Sequence, residues 1–593
     1  MTYFINLYNK KADFGLYGVL LELIASVGIH SIEKFNKIIP NILFYVIQLL
    51  KDYEDNEKKN HNIFSICELK SSFVKIILII LPILINKNDN INMIYELMNI
   101  VISLIKSKNI SNIDLSSINE PSMINLYDEE KFPNDEDQNI YNIQIKEFSS
   151  LLSILLSILN SIDSNNIQKI QQFLILIESE VLPLITFRSD KYIRKKSSKI
   201  LEKLIILNYD NEQKNAKSYL FINSLINGIE KETDALNTKY FLERIREIMD
   251  CNDNEFLNKY RITKIFNTFF KFINNLKIKR NQLIEKQNSI KEKYKEAQNK
   301  NVDNKNLNEI IEKEIKSIED IQIEIGENIG ILLKTHKDKC EQIIDKIINK
   351  LIPSYLNSNN NFEIKIALYL SDDLIEYIGQ EKIIEKDWEM IYYIINKYIF
   401  SDDYSIKQAA AYGMGIFALQ TKNNFSKYGQ KLIDNLCKSL NLCIKIKNDN
   451  KMESKEDFLI SFDNLVAALG KIINVQFNNE IIQNNINDLI EKWIMNLPIK
   501  YDESEQEQQH EWMVNFFIYK RNLIPFNCYF HYFESLAEIY QSKYSNKNID
   551  IQIELIFSNF VKKEDKLRNI LAQIYENASY EIKNKLNILA QKN

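Results

Sequence analysis

Glycine and proline are scarce in this chain, 11 and 8 among 593 residues. An all-β protein, or an α/β enzyme with glycine-rich loops, needs many tight turns, so both classes are disfavoured and long helices joined by Asn- and Ser-containing turns are expected. Cys67, Cys251, Cys340, Cys437, Cys443 and Cys528 form no C-x-x-C. That argues against a disulfide framework or a thiolate metal site and fits a reducing intracellular compartment. His30, His61 and His336 have no evident partner. Cys528 and His531 share a helical spacing that His510 could approach, but no second spaced pair accompanies them, so no metal is expected. Positive charge is not in excess: the formal net charge is -5, which does not support direct binding to nucleic acid. A membrane-spanning run is missing too, since the most apolar stretch, Phe73 to Ile85, is short and holds Lys75 and Pro82. Lys10 and Lys11 precede the apolar stretch Phe14 to Ile29 as in a secretory leader. Asp13 and Glu22 break that pattern and no small-residue cleavage site follows, so an amphipathic helix and no membrane insertion are expected.

Catalytic patterns are equally sparse. Gly413-x-Gly415 lies inside an apolar helical stretch with no preceding strand and no third glycine, so it reads as helix packing and not as a phosphate loop. Gly326 and Gly330 also read as a close helix contact. No G-x-S-x-G or kinase-like set occurs. The chain is read as a non-enzyme without a cofactor.

What the sequence does hold is helical periodicity, with 45% hydrophobic residues to build a core. Its centre is Ser405 to Leu419, SIKQAAAYGMGIFAL, where Ala409, Ala410, Gly413 and Gly415 permit close approach while Tyr412, Met414, Ile416, Phe417 and Leu419 fill the space around them. Each interior glycine costs a helix about 1 kcal/mol relative to alanine, so the pair points to tight packing or a function. Around this stretch a spacing recurs. Pro40 and Pro82 are 42 residues apart, as are Lys365 and Lys407. Pro183 is followed by Asp190 and Ile193-Arg194, Pro353 by Ile364-Lys365 and Ala367, and Asp403 by Ile406-Lys407 and Ala410. A period of about 40 to 47 residues, with a proline near one helix end and a turn Asp capping the next, is the HEAT pattern.

The expected fold is therefore all-α, a HEAT-repeat solenoid built as a right-handed superhelical array of antiparallel helix pairs. Residues 1–107, 140–253 and 335–593 are read as repeats and 108–139 as an acidic, disordered loop. The Lys- and Glu-rich segment 254–334 is read as a long charged helical hairpin turning near Asn299 to Asn306.

Candidate binding residues are acidic. Asp373 precedes Glu376 by one helical turn with Asp372 alongside, on the second helix of a repeat; such a face can take lysines of a ligand or can simply be a solvated helix end. Asp502, Glu503, Glu505, Glu507 and Glu511 can bind a basic segment or only favour a helix N-terminus. Asn464 either faces inward or caps a turn.

Four stretches, SDDLIEYIG, IKQAAAYGMGIFAL, FDNLVAALGKII and WIMNLPIKYDESEQE, resemble in order and spacing the C-terminal HEAT repeats of the karyopherin-β (importin-β) nuclear transport receptors, nearest to the importin beta-3 (karyopherin beta-3) branch. The resemblance covers Ile364 to Phe517 and, more weakly, Pro183 to Cys251. It implies a receptor that carries cargo proteins with basic signals, binds nucleoporins, answers to the Ran GTPase, moves between cytoplasm and nucleus through the nuclear pore, and has no enzymatic activity. Family receptors are longer and place their principal Ran-binding repeats at the N-terminus, so this chain is expected to begin mid-array without them. The hairpin is Lys-rich where the family tends to be acidic. A HEAT scaffold subunit of a stable complex is the other function compatible with the repeats.

Overall fold

The computed structural model describes residues 91–107, 135–160 and, with gaps at 188–189, 208–210, 253–255, 298–301, 358–359, 422–424 and 449–455, residues 167–591, together with positions 48 and 162. The expected helices before residue 91, including Phe14, Leu20, Leu21, Ile24 and the Phe73 to Ile85 stretch, lie outside the described residues, as does most of the acidic segment. The helix α2 begins at Asp135, so residues 135–139, read as the end of that segment, are helical. Among the described residues every regular element is helical and none is a strand.

The chain divides into two units, one ending at Ile331 and the other beginning at Leu332. In the first unit, α1 (Ile91–Ser107), α2 (Asp135–Asn160), α3 (Ile167–Val181), α4 (Lys191–Ile206), α5 (Asn211–Lys231) and α6 (Ala235–Asp250) form helix pairs. The second members stack on one another, α2 on α4 and α4 on α6, while each first member packs on its own second. Local chemistry sets the boundaries. Pro183 sits in the short 3-10 turn Leu182–Thr186 that follows α3. Asp190 then caps α4, its Oδ1 accepting the Ile193 N–H at 2.7 Å, and Asp234 caps α6 through the Asn237 N–H at 3.0 Å.

The charged segment forms two long helices, α7 (Lys259–Ala297) and α8 (Val302–His336), the second running on past the unit boundary. Their lower halves are core, with Ile262, Phe266, Phe269, Ile273, Ile325 and Ile329 buried. Further along, ion pairs take over: Arg280 with Glu319 at 2.5 Å and Lys279 with Glu314 at 2.8 Å. Ile278 and Ile310 are exposed there.

The second unit continues the pairing. Its first helices are the broken helix α9 (Glu341–Lys346) and α10 (Ile352–Leu356), joined by a π turn, then α12 (Glu385–Tyr398), α14 (Phe425–Asn448), α16 (Glu480–Ile494) and α18 (Tyr529–Ile539). Its second helices are α11 (Asn361–Asp373), α13 (Tyr404–Thr421), α15 (Glu456–Val475), α17 (Glu503–Lys520) and α19 (Lys547–Ile556), before α20 (Asp565–Asn577) and α21 (Tyr580–Gln591). The second helices again form a continuous stack, α11–α13–α15–α17–α19. By length and composition α15 is apolar enough to cross a bilayer, and it is instead buried as the centre of this stack.

The repeat interval is visible in the bonds themselves. Asn361 donates to Asp403, 42 residues on; Ser439 donates to the Ile399 carbonyl, 40 residues back; Gln509 donates to the Ala467 carbonyl, 42 back; and Lys191 pairs with Asp234, 43 on. Bonds at one repeat length are what nearest-neighbour stacking produces. The HEAT-repeat class read from the sequence is the observed one.

Candidate functional site

Helix α13 is the seam at which charged side chains of two neighbouring helices meet. Its Asp403 cap accepts the Ser405 N–H at 2.9 Å and the Ser405 hydroxyl at 2.7 Å. Nearly three turns further on, Gly413 faces α11 and Gly415 faces α15. A Cβ on Gly413 would run into the Asp372 carboxylate and lie 2.9 Å from Ile395 Cγ2; one on Gly415 would lie 2.8 Å from Lys471 Cδ and 3.2 Å from Ala468 Cα. The two glycines thus admit a carboxylate from one side and a lysine stem from the other. We expect Gly413→Ala to cost about 2 kcal/mol by overpacking, despite the gain in helix propensity. Part of that loss should return in the Gly413→Ala/Asp372→Ala double variant, measured by denaturant unfolding.

The charges around this seam are unequal. Lys471 and Glu505 are both buried and paired at 2.5 Å, and the Lys471 ammonium also lies 4.6 Å from the centre of the Tyr412 ring. Tyr412 donates its phenol to Glu376 Oε2 at 2.8 Å. Burial and the nearby Glu376 carboxylate push that phenol well above its ordinary range. Asp372 is 4% exposed, and its Oδ1 is buried without a hydrogen-bond partner. Burial first, then Asp373 and Glu376, push the Asp372 carboxyl well above the usual carboxylate range, with Lys471 opposing. Asp373 is pushed up to about 7 by burial and by Glu376.

The sequence-derived candidates therefore divide. Asp372, Asp373 and Glu376 come together, although Asp372 packs beneath Gly413 instead of lying on an open face. Helix α11 ends at Asp373, and Glu376 sits in the π turn Leu374–Ile378, closed by Gly379 at φ 71°. That wider turn shifts the register away from a 3.6-residue spacing. Asn464 lies elsewhere on the stack: it is buried and donates to the Ile460 carbonyl at 3.0 Å and to Asp502 Oδ2 at 2.5 Å. Asp502 caps α17 through the Ser504 N–H at 3.0 Å. Beside it, Asp463 Oδ2 accepts the N–H groups of Lys500 and Tyr501 at 2.9 and 2.6 Å. His510 and His531 are bonded to backbone, His510 to the Ile499 N–H and the Tyr544 carbonyl and His531 to the Leu497 carbonyl.

Sequence reasoning missed Lys471 and its pairing with Glu505, a residue it names only among the acids at a helix N-terminus. The available signal was a single lysine in the apolar run LVAALGKII, a position that α15 buries and that demands a partner.

No family model matches the chain. Among solved structures, the karyopherin Kap121p bound to the SUMO protease Ulp1p matches with TM-score 0.57 at 15% identity, over 96% of this chain and 51% of that one. Kap121p bound to Nup53p matches with TM-score 0.56 at 15% identity over 96% and 51%, and Kap121p bound to RanGTP with TM-score 0.57 at 14% identity over 96% and 52%. The chain spans about half the length of the karyopherin chains it matches. At this identity the likeness concerns the fold, and on that ground the chain has the all-α HEAT-repeat fold of the karyopherin Kap121p.

Proposed function

We propose that the chain acts as a nuclear transport receptor of the karyopherin-β type, or as the C-terminal half of one, binding protein cargo and pore proteins in Ran-dependent import. One observation carries this reading. The four stretches that resemble karyopherin-β repeats fall in order on the end of α11 with its π turn, on α13, on α15 and across the α16–α17 junction, inside a fold that matches a karyopherin. Structures of Kap121p with Ulp1p, Nup53p and RanGTP support the kinds of partner: cargo proteins with basic signals, nucleoporins and Ran. The importin beta-3 branch is the nearest by those stretches. Of the four candidate residues, Asp373 and Glu376 remain as partner contacts, whereas Asp372 packs beneath Gly413 and Asn464 is buried against Asp502. Tyr393, Leu442 and Phe530, exposed on the first helices α12, α14 and α18, offer apolar contacts for pore proteins. Function is then binding linkage without catalysis, in which one partner weakens another through the states of the array, and the protein works in cytoplasm, nucleus and pore. A second reading, a HEAT scaffold subunit of a stable complex, is favoured by the long charged arm α7–α8.

Capture from a cell lysate on the immobilised chain, washed in parallel with Ran in its GTP and GDP states, tests the proposal. Retained pore proteins, with basic cargo released selectively by RanGTP, are expected. A fixed set of partners without pore proteins, unchanged by either state of Ran, would overturn it in favour of the scaffold.

A further inference from the structure

We propose that Lys407 and Cys443 are a site of oxidative cross-linking, at which peroxide joins the lysine nitrogen to the cysteine sulfur through one bridging oxygen atom and so ties one repeat covalently to the next. The inference goes beyond the transport reading and does not rest on it.

The first observation is a buried lysine without an acid. Lys407 lies on α13 and is 8% exposed, and a cation so placed demands a partner. Its Nζ is directed at Cys443 Sγ, 3.9 Å away on α14, with the Tyr404 ring centre 5.3 Å off. Among the described residues no carboxylate pairs with it. The first unit shows what this repeat position otherwise does. Arg194 follows the cap Asp190 as Lys407 follows the cap Asp403, and Arg194, equally buried, holds the Glu232 carboxylate by two bonds of 2.7 and 2.6 Å. At α13 a thiol replaces that carboxylate as the partner.

The second observation is that this pairing singles out Cys443. It is fully buried, and among the described cysteines it is the one whose sulfur meets a lysine nitrogen. Cys340 Sγ donates to the Leu332 carbonyl and Cys528 Sγ lies against Asn527 Oδ1, while Lys214 approaches Cys251 at its backbone carbonyl and not at its sulfur. No disulfide forms among the described cysteines, so the nitrogen of Lys407 is the nucleophile at hand for an oxidised Cys443.

The chemistry balances with hydrogen peroxide as the oxidant. One molecule transfers an oxygen to Cys443 Sγ, which gives up two electrons and becomes the sulfenic acid as water leaves. A second takes two electrons from the lysine nitrogen. Two ammonium protons and the sulfenic proton are released, an N–O bond forms, the peroxide O–O bond breaks, and its oxygens leave as one water and one hydronium ion. An S–O and an N–O bond in series span far more of the 3.9 Å between sulfur and nitrogen than a direct S–N bond does. Burial pushes the Cys443 thiol up while Lys407 pulls it down, so the first step is slow and proceeds through local opening that admits a small oxidant. The same burial keeps other thiols from the sulfenic acid. Because α13 closes one repeat and α14 opens the next, the bridge fixes one joint of an array whose curvature is the sum of small rotations between repeats.

The test is mass spectrometry of tryptic peptides from the full chain, folded during exposure to hydrogen peroxide. A linked pair containing Lys407 and Cys443 is expected, heavier than the sum of its parts by about 14 Da, one oxygen gained and two hydrogens lost, and released by dithiothreitol. Lys407→Arg, which keeps the charge and restores the residue type found at 194, and Cys443→Ala should each abolish it, with circular dichroism showing both variants folded. The bridge closes a loop between residues 36 apart, so peroxide should raise the melting temperature of the wild type by about 5 °C relative to Lys407→Arg treated alike, and reductant should cancel the difference. Recovery of Cys443 as the thiol while the exposed Cys251 is oxidised would overturn the site. So would its conversion to sulfinic and sulfonic acid to the same extent in wild type and Lys407→Arg. A link lighter than its parts, lacking the oxygen, would overturn the bridge.

Discussion

Replacing Lys471 by Met is expected to destabilise the second unit by about 3–5 kcal/mol, the usual cost of removing one partner of a buried ion pair. Lys471 and Glu505 are each 4% exposed and lie 2.5 Å apart. Removing the ammonium leaves Glu505 buried and uncompensated, in a region that already holds Asp372, Asp373 and Glu376. The thioether keeps most of the volume that the Lys471 stem fills over Gly415, so a large loss reports charge and not a cavity. Glu505→Gln in the same chain should recover most of it, because a neutral amide no longer needs the cation. The readout is convenient: Trp388, Trp493 and Trp512, the three tryptophans of the chain, all belong to the second unit. Their fluorescence during urea unfolding follows that unit selectively. A loss under about 1 kcal/mol would mean that the pair is solvated and that α15 and α17 do not enclose it.

His510→Leu is expected to cost about 3 kcal/mol, since two buried backbone groups lose their partners at once. The ring accepts the Ile499 N–H at Nε2, 3.1 Å away, and donates from Nδ1 to the Tyr544 carbonyl at 2.9 Å. Burial holds the imidazole at about 4, below its ordinary 6.5, against the pull of the Tyr544 carbonyl and Glu538. The folded state therefore resists a proton that the unfolded chain accepts. Stability contributed by neutral His510 is present above pH 6.5 and lost as pH falls towards 4, by about 3 kcal/mol in all. Protonation would set an N–H of Nε2 against the N–H of Ile499. The acids on α11 act in the opposite sense. Asp372 and Asp373 carry raised pKa values, so their protonated forms favour folding at low pH and that contribution fades as pH rises towards about 7. The histidine slope is consequently read as the wild-type curve minus the His510→Leu curve. A difference that is flat between pH 4 and 6.5 would contradict the assignment.

Much of the fold was legible because its signals are local. A turn Asp followed by an apolar helix is a capping pattern wherever it occurs, and Asp190 and Asp403 cap the helices that the sequence placed after them. The hairpin was visible as a change in composition, since a two-helix arm cannot bury both faces along its whole length. The site was less legible because it depends on which residues of adjacent repeats face each other. The acids at 372, 373 and 376 read as one helical face, but the π turn after Asp373 changes their register, and no spacing rule reveals that Gly413 lies over Asp372. Asn464 could be read two ways, and its partner Asp502 belongs to the next repeat. Lys471 was overlooked because a lysine in an apolar helix acquires meaning only with Glu505, 34 residues on.

The proposed role of this HEAT array as a transport receptor is tested most directly by nuclear entry. The purified 70.1 kDa chain, fluorescently labelled, is added to permeabilised cells beside an inert protein of the same size. The account requires the chain to pass the pores and accumulate in nuclei well ahead of the inert protein. Exclusion of both to the same extent would contradict it.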